Sequence, residues 1–273
     1  MEQSTASAIG DQDFARFQAL LYKQAGIHLA PSKKVLLVGR LSKRLRALGL
    51  ASFGDYYRLV TSGNAQELQT MVDLLTTNET YFFREAKHFD FLRQDILPQR
   101  PRSTPFEVWS AACSSGEEPY TLAMVLAEEL GGAPWKIAAS DISTQVLERA
   151  RRGHYSLERA QGIPPALLKK YCLKGVREQA GTFLIGRELR SRVNFMQVNL
   201  IEPPPAIGPV DVIFLRNVMI YFDQDTKRKV VANLLTRLKP GGWFIVGHSE
   251  TLNGIADPEQ LAPVRPTIYR KPR

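Results

Sequence analysis

The sequence predicts an α/β protein: an open, mostly parallel, doubly wound sheet with helices on both faces, preceded by an all-helical segment and interrupted by a small inserted subdomain. Three observations carry that expectation. From residue 106 onward, short apolar runs alternate with helical patterns, the strand–loop–helix rhythm of such sheets. Before residue 91 the apolar residues recur at helical spacing instead. Between about residues 153 and 192 the rhythm breaks, which reads as an insert. The expected domains are a helical one at 1–90, a linker at 91–105 and the sheet domain at 106–273. With 273 residues and 44 % hydrophobic composition, the chain has room for one large or two modest cores.

Each element has a local reason. Phe14, Phe17, Leu20 and Leu21 make an apolar stripe that stops at Gly26. Pro31-Ser32 opens a second helix that reaches Leu48 and stops at Gly49. Ser52-Phe53-Gly54-Asp55 opens a third, residues 65–75 form a fourth, and 86–97 a fifth leading into the second half. The run PQRPRSTP at 98–105 breaks the pattern. Then come a strand at 106–110, a loop ACSSGEEP, a helix at 120–130, a strand at 135–139 ending at Asp141, and a helix at 144–151. Strands at 193–198 and 210–214 and a helix at 226–238 follow. A turn at Lys239-Pro240-Gly241-Gly242, a strand at 243–246 and a closing strand at 267–270 complete the pattern.

Composition excludes several classes. Lys+Arg 36 against Asp+Glu 27 gives a formal net charge of +9, which favours an acidic partner without choosing among nucleic acid, anionic membrane and protein. No apolar run approaches the roughly 18 residues of a membrane span. The polar start MEQSTASAIGDQDF is unlike a secretory or transit peptide. Cys113 and Cys172 are too few for a disulfide scaffold or a cysteine-built metal site. The four histidines show no ligand spacing, so no metal is expected. The expectation is a soluble, cytoplasmic protein, and a monomer, since no heptad seam is left over.

Ligands of a doubly wound sheet bind outside the carboxyl ends of its strands. The loop Ala112-Cys113-Ser114-Ser115-Gly116-Glu117-Glu118-Pro119 stands there, built of small residues that let a ligand approach the backbone. It lacks the G-x-G-x-x-G spacing, and its two carboxylates would repel a pyrophosphate. A cationic or zwitterionic nucleoside fits better: Asp141, ending the second strand, can accept both ribose hydroxyls, while Glu117 and Glu118 can face an amine or a sulfonium. On spacing alone these acids serve equally well as helix caps.

The run Leu75-Thr76-Thr77-Asn78-Glu79-Thr80-Tyr81-Phe82-Phe83-Arg84-Glu85 resembles the TTNxTxFFRE signature of the chemotaxis receptor methyltransferases, the CheR family. Three further runs are similar to that family's other blocks: residues 108–120, Phe214-Leu215-Arg216-Asn217-Val218-Met219-Ile220-Tyr221-Phe222, and Leu238-Lys239-Pro240-Gly241-Gly242 with Gly247-His248-Ser249-Glu250. The resemblance implies a class I S-adenosylmethionine methyltransferase domain (a Rossmann-like doubly wound sheet), with an all-helical N-terminal domain and an inserted β-subdomain. It implies methylation of glutamate side chains on the cytoplasmic helices of chemoreceptors, with S-adenosylhomocysteine as product, setting sensory adaptation. Carried over by motif position, Asn78, Thr80, Arg84, Glu118, Asp141, Asn199, Leu200, Arg216 and Asn217 are expected to contact the cofactor, Asn199-Leu200 at the adenine. Arg84 and Tyr221 are expected to border the reacting centre. In some family members the insert tethers a receptor peptide through basic strand residues. Here the strand at 182–185 has none, and a receptor interaction without the tether is expected.

The residues agree with that chemistry. A glutamate carboxylate, with a pKa of about 4.3, is already an ionised nucleophile at neutral pH. No general base is needed, and no His/Ser/Asp constellation is present. Arg84 can orient the carboxylate by bidentate hydrogen bonding, and Tyr221 can donate one hydrogen bond and wall off water.

Between residues 33 and 46 lie Lys33, Lys34, Arg40, Lys43, Arg44 and Arg46 without an acid, beside an inward stripe of Leu37, Leu41, Leu45 and Leu48. Lys33, Arg40, Lys43 and Arg44 are the expected docking stripe for an acidic receptor helix, steering it toward Arg84. A nucleic-acid amine methyltransferase would resemble its own class in an Asn/Asp/Ser-Pro-Pro-aromatic motif after the fourth strand. Arg216-Asn217-Val218-Met219 stands there instead, so no nucleic-acid partner is expected. A silent scaffold would not retain Arg84, Asp141, Asn217 and Tyr221.

Overall fold

A computed structural model describes residues 9–100 and 104–273. The polar N-terminal run 1–8 and residues 101–103 of the expected linker lie outside the described residues. The chain forms two compact units, one of residues up to Thr77 together with Tyr221–Thr226, the other of Asn78–Ile220 and Lys227–Arg273. The division between Thr77 and Asn78 lies upstream of the expected linker at 91–105.

The first unit holds α1 (Asp11–Ala25), α2 (Lys34–Ala47), α3 (Phe53–Thr61) and α4 (Ala65–Leu75). Phe14, Phe17 and Leu21 of α1 are buried with Leu37, Leu41 and Leu45 of α2, whereas of the two stripes read from the sequence Leu20 is half-buried and Leu48, just past the end of α2, is exposed. A single turn of 3-10 helix, Pro31–Lys33, precedes α2. At α3, Ser52 accepts the Asp55 N–H (3.1 Å) while Asp55 accepts the Ser52 N–H (3.1 Å), a reciprocal capping box. Asn64 caps α4 by accepting the Glu67 N–H at 3.0 Å. Residues 221–226 complete this unit: Ile27 bridges Phe222, the Tyr221 carbonyl accepts the His28 N–H (2.8 Å), and Asp223 accepts the Tyr22 hydroxyl (2.8 Å).

The second unit opens with α5 (Lys87–Phe91), which the sequence reads as one helix to 97. Its backbone widens into a π-helical turn at Leu92–Ile96 and tightens into a 3-10 turn at Leu97–Gln99. Next come β1 (Phe106–Ser110), α6 (Glu117–Leu130), β2 (Trp135–Asp141) and α7 (Thr144–Arg152). The insert holds β3 (His154–Ser156), α8 (Pro165–Tyr171), β4 (Cys172–Lys174), β5 (Thr182–Ile185) and α9 (Arg187–Arg190). The chain then runs through β6 (Val193–Gln197), β7 (Val210–Leu215), α10 (Gln224–Leu235, its first turn counted with the first unit), β8 (Leu238–Val246), β9 (Ala262–Arg265) and β10 (Ile268–Arg270).

Seven strands make one sheet in the order β6-β2-β1-β7-β8-β10-β9, parallel except where β10 pairs with β8 and β9. The order reverses between β1 and β7, and that switch point is where a doubly wound sheet leaves a crevice for a ligand. The insert carries its own antiparallel sheet, β3-β5-β4. Val108, Trp109, Ile137, Ala139, Val212, Phe214, Phe244 and Ile245 are buried along the central strands, because helices cover both faces.

Two expectations needed correction. Lys239-Pro240-Gly241-Gly242 is no turn before a strand. It lies inside β8, where the pairing with β7 jumps from Val210–Leu238 to Val212–Trp243 and the extra residues bulge from the ladder. The sequence also gave no sign of β9, whose Pro263 is tolerated because this strand lies at the sheet edge.

Candidate active site

The loop after β1 lies at the switch point and is tied down on both sides. Ala111 donates to the Phe214 carbonyl of β7 (2.9 Å), and Cys113 to the Ser140 carbonyl of β2 (2.8 Å). Ser114, in a left-handed conformation (φ 48), donates its N–H to Asp141 (2.8 Å). Gly116 turns the chain into α6 with φ 99, and a Cβ there would stand 2.8 Å from the Tyr155 hydroxyl and 2.9 Å from the Ala150 Cβ. No other residue fits.

The two adjacent acids that open α6 go separate ways. Glu117 is wholly buried and accepts from the Ser115 hydroxyl (2.7 Å) and Arg159 (2.8 Å). Glu118 accepts from the Ser110 hydroxyl (2.7 Å) and from Arg216 Nη1 (2.7 Å). Glu117 is committed to the insert's Arg159, whereas Glu118 belongs to the charged cluster at the switch point.

That cluster centres on Arg216, which follows β7 and is buried. Its Nη2 donates to Glu85 (2.9 Å) and to the Arg84 carbonyl, and its guanidinium lies 5.4 Å over the Phe89 ring. Its Nε–H is buried with no hydrogen-bond partner among the described residues. Glu85 also accepts from the Asn217 amide (3.1 Å). Burial alone would raise the Glu85 pKa. The Arg216 charge and hydrogen bonds from Asn217, Arg216 and the His248 backbone outweigh it and pull the carboxyl down to about 2. Arg84 does not pair with Glu85. Its guanidinium donates to the Glu79 carbonyl (2.7 Å) and stands 5.7 Å from the Tyr81 ring centroid.

Asn217 holds φ 56, a left-handed conformation that asparagine adopts more readily than other non-glycine residues. Glu250 supports it by accepting three backbone N–H groups, from Asn217 (2.8 Å), Met219 (2.8 Å) and Gly247 (2.7 Å). Burial nevertheless raises the Glu250 pKa, with those bonds working against the rise. Gly247 allows the approach, since a Cβ would come 2.6 Å from the Asn217 amide nitrogen.

The remaining expected cofactor residues lie in the 78–85 segment, at the end of β2 and just after β6. The Asn78 carbonyl accepts the Ser114 hydroxyl (3.1 Å), and the Thr80 carbonyl accepts Arg159 (3.0 Å), stitching the 78–85 segment to the loop. Asp141 is buried and fixed by the N–H groups of Ser114 and Ser143 (3.0 Å). Asn199 and Leu200 follow β6, the neighbour of β2. Asn199 accepts the Ile201 N–H at 3.4 Å, and Asn233 holds the Leu200 carbonyl at 3.1 Å. Tyr221 is half-buried and belongs to the first unit. Of the four aromatics flanking these motifs, Phe82 and Phe222 are core, while Phe83 and Tyr221 are half-buried.

A zwitterionic nucleoside such as S-adenosylmethionine fits these residues. A buried guanidinium N–H without a partner suits a carboxylate, Glu118 beside it suits an ammonium, and Asp141 on the next strand suits ribose hydroxyls. Glu85, His88 and His248 bring potential ligand atoms within 4.8 Å of one another. Glu85, however, is already bonded to Arg216 and Asn217. His248 is exposed and meets the His88 ring edge-on at 4.9 Å rather than packing into the core.

In the first unit the expected docking stripe divides. Arg40 donates to the Leu75 (2.9 Å) and Thr76 (2.8 Å) carbonyls and to the Thr77 hydroxyl (3.1 Å). Arg44 donates to the buried Glu67 (2.9 Å), which also accepts the Tyr56 hydroxyl (2.8 Å). The acid missing from the local sequence is therefore supplied by α4, and only Lys33 and Lys43 of the four are exposed. Sequence reasoning assigned no role to Glu85, His88, Arg159 or Glu250. Two of them, Glu85 and Glu250, stand inside motif runs, which was the available signal.

Residues 12–76 match the family model for the CheR methyltransferase all-alpha domain, and residues 78–268 that for the CheR methyltransferase SAM binding domain. The chain is 43 % identical over 257 residues to the chemotaxis protein methyltransferase of Escherichia coli (strain K12), covering 93 % of this chain and 89 % of that protein. It is 43 % identical over 261 residues to chemotaxis protein methyltransferase 2 of Pseudomonas aeruginosa, covering 94 % and 92 %. With the chemotaxis protein methyltransferase of Borreliella burgdorferi the identity is 37 % over 276 residues, covering 96 % and 95 %.

Proposed function

The chain belongs to the CheR methyltransferase family, and from that premise we propose how its residues divide the work. It is an S-adenosylmethionine-dependent methyltransferase that methylates chemoreceptors in chemotactic adaptation. The acceptors are glutamate side chains on acidic cytoplasmic helices, the product a methyl ester, and the enzyme works as a monomer in the cytoplasm. No helix among the described residues is long and apolar enough to cross a membrane.

The observation that carries the site assignment is the buried Arg216 guanidinium, held by Glu118 at 2.7 Å with its Nε–H unpartnered. Glu118 and Arg216 hold the amino-acid end of the cofactor, Asp141 its ribose, and Asn199-Leu200 its adenine. Asn78, Thr80 and Asn217 supply backbone and amide contacts. Bound S-adenosylmethionine supplies an electrophilic methyl group on a sulfonium.

Everything else falls to the chain. The incoming glutamate is ionised at neutral pH, so the need is alignment and dehydration rather than proton removal. Among the described residues no carboxylate pairs with Arg84, which leaves its guanidinium charge for the substrate carboxylate. Tyr221, assigned by motif position, donates one hydrogen bond and excludes water.

The test is transfer of a labelled methyl group from S-adenosylmethionine to a chemoreceptor cytoplasmic fragment, with RNA and DNA controls, followed by alkaline release of methanol. Base-labile label on the receptor alone is expected. Label on nucleic acid, or alkali-stable label on the receptor, would overturn the carboxyl-ester reading. Arg84→Ala is expected to lose most turnover, and near-wild-type turnover would remove Arg84 from the mechanism.

A further inference from the structure

Glu85 closes the FFRE run at φ 58, two residues after Phe83 at φ 57, and neither residue is glycine. Such conformations persist where the surroundings over-determine them. Here Phe82 is fully buried against Tyr155 (5.1 Å) and Phe183 (5.8 Å), the Phe83 N–H donates to Thr121 (3.1 Å), and the Phe83 ring meets Phe89 (5.8 Å). The strained turn aims the Glu85 carboxylate at two side chains from the far side of the sequence, Arg216 (2.9 Å) and Asn217 (3.1 Å). Asn217 is itself left-handed. Two left-handed residues are thus joined side chain to side chain, and the join lies at the switch point between β1 and β7. Asp141 and Asn199-Leu200 lie on the β2/β6 side.

We infer that Glu85 is a positioning residue for the amino-acid end of the cofactor, acting through Arg216 and Asn217. The inference rests on the assignment of Arg216 and Glu118 to that end. Arg216 stands between two carboxylates, Glu118 at 2.7 Å and Glu85 at 2.9 Å. Held between the two, the guanidinium is pulled from two sides and its Nε–H stays unpartnered among the described residues. Without the Glu85 charge, the guanidinium is drawn onto Glu118 alone, the best geometry being a bidentate pair that uses up both groups. The subsite for a zwitterion then closes on itself, while the nucleoside subsite on the neighbouring strands is untouched.

The experiment uses the full chain and two ligands that share the nucleoside: S-adenosylhomocysteine, which carries the amino-acid end, and methylthioadenosine, which lacks it. Calorimetric titration of Glu85→Gln is expected to show a loss of about tenfold or more in affinity for S-adenosylhomocysteine, and affinity for methylthioadenosine within about twofold of the unmodified protein. KM for S-adenosylmethionine rises in parallel, and kcat at saturation stays within about threefold. Equal weakening of both ligands, or of neither, overturns the inference, because a general structural role does not distinguish them. If Glu85→Gln does not fold, Glu85→Asp, which keeps the charge but withdraws it, is read by the same ratio. Failure of both to fold assigns Glu85 to the fold and also overturns it. If the unmodified protein binds neither ligand, the cofactor assignment itself fails, which is a separate result.

Discussion

His88 sits buried beside the Glu85–Arg216 pair and reaches a hydroxyl distant in the sequence. Its Nε2 shares a hydrogen bond with the Thr267 hydroxyl (2.8 Å), and its Nδ1 lies 3.5 Å from Glu85. Burial, reinforced by the Arg216 charge, pushes the imidazole pKa down to about 3. An unfolded chain therefore takes up this proton near pH 6.5, while the folded one waits until about pH 3. Stability must fall as pH drops through that window, by up to about 1.4 kcal/mol per unit. Glu85 acts with the same sign, but only between 4.5 and about 2. Glu250, raised by burial, acts with the opposite sign above 4.5 and cancels on comparing variants. His88→Asn should thus flatten the urea-unfolding free energy between pH 6.5 and 4.5, and an unchanged slope would acquit His88. None of this was readable locally, since Thr267 lies 179 residues away, as the Glu85 partner lies 131 away. Arg84, Arg216 and Asn217 stood out because they sit within contiguous runs that resemble one family. Their neighbours in those runs had roles only the fold could reveal.

At the scale of the element, α2 divides a basic stripe between two jobs. Arg40 and Arg44 are held within the first unit, by carbonyl groups at the end of α4 and by the buried Glu67. Reversing Arg44 to Glu would set two carboxylates together with one of them buried, and should cost at least about 2 kcal/mol in urea unfolding. Lys33 and Lys43 are exposed, so Lys33→Glu with Lys43→Glu should leave stability within about 0.5 kcal/mol. If the stripe docks an acidic helix, the same pair should raise KM for the receptor, most at low salt, because surface attraction is screened over about 10 Å at 0.1 M. An unchanged KM across salt would dissociate this stripe from substrate binding. The leucine face of α2 was legible because burial repeats with the helical period. The Arg44–Glu67 pair was not, because its acid comes from another helix. The same distinction explains the sheet: central strands announce themselves as apolar runs, whereas the β8 bulge and the proline-bearing edge strand β9 depend on register with neighbours.

At the scale of the whole chain, the first unit is discontinuous. Residues 221–226, following the Arg216-Asn217 motif, are built into it by the Ile27–Phe222 bridge, the His28 to Tyr221 bond and the Tyr22 to Asp223 bond. Asp223 also accepts the Thr226 N–H (2.8 Å) at the start of α10, so one carboxylate serves the end of α1 and the beginning of α10 together. Helical periodicity marks where α1–α4 lie but says nothing of a segment 144 or more residues downstream of Thr77, so the unit's completion was invisible in the sequence. A consequence is that Phe222, 7 % exposed, should stabilise helices far from it in the chain. Phe222→Ala removes a buried aromatic, typically about 3–5 kcal/mol of core stability. Hydrogen exchange read by peptide mass should then show amides at the end of α1 and through Ile27 and His28 losing roughly 3 kcal/mol of protection, more than a hundredfold in rate. Peptides from β1 and β2 in the second unit should keep theirs. Loss of protection in β1 and β2 alone, with α1 unaffected, would mean that residues 221–226 belong energetically to the sheet. The continuity of the motif region with the helical unit would then carry no stability.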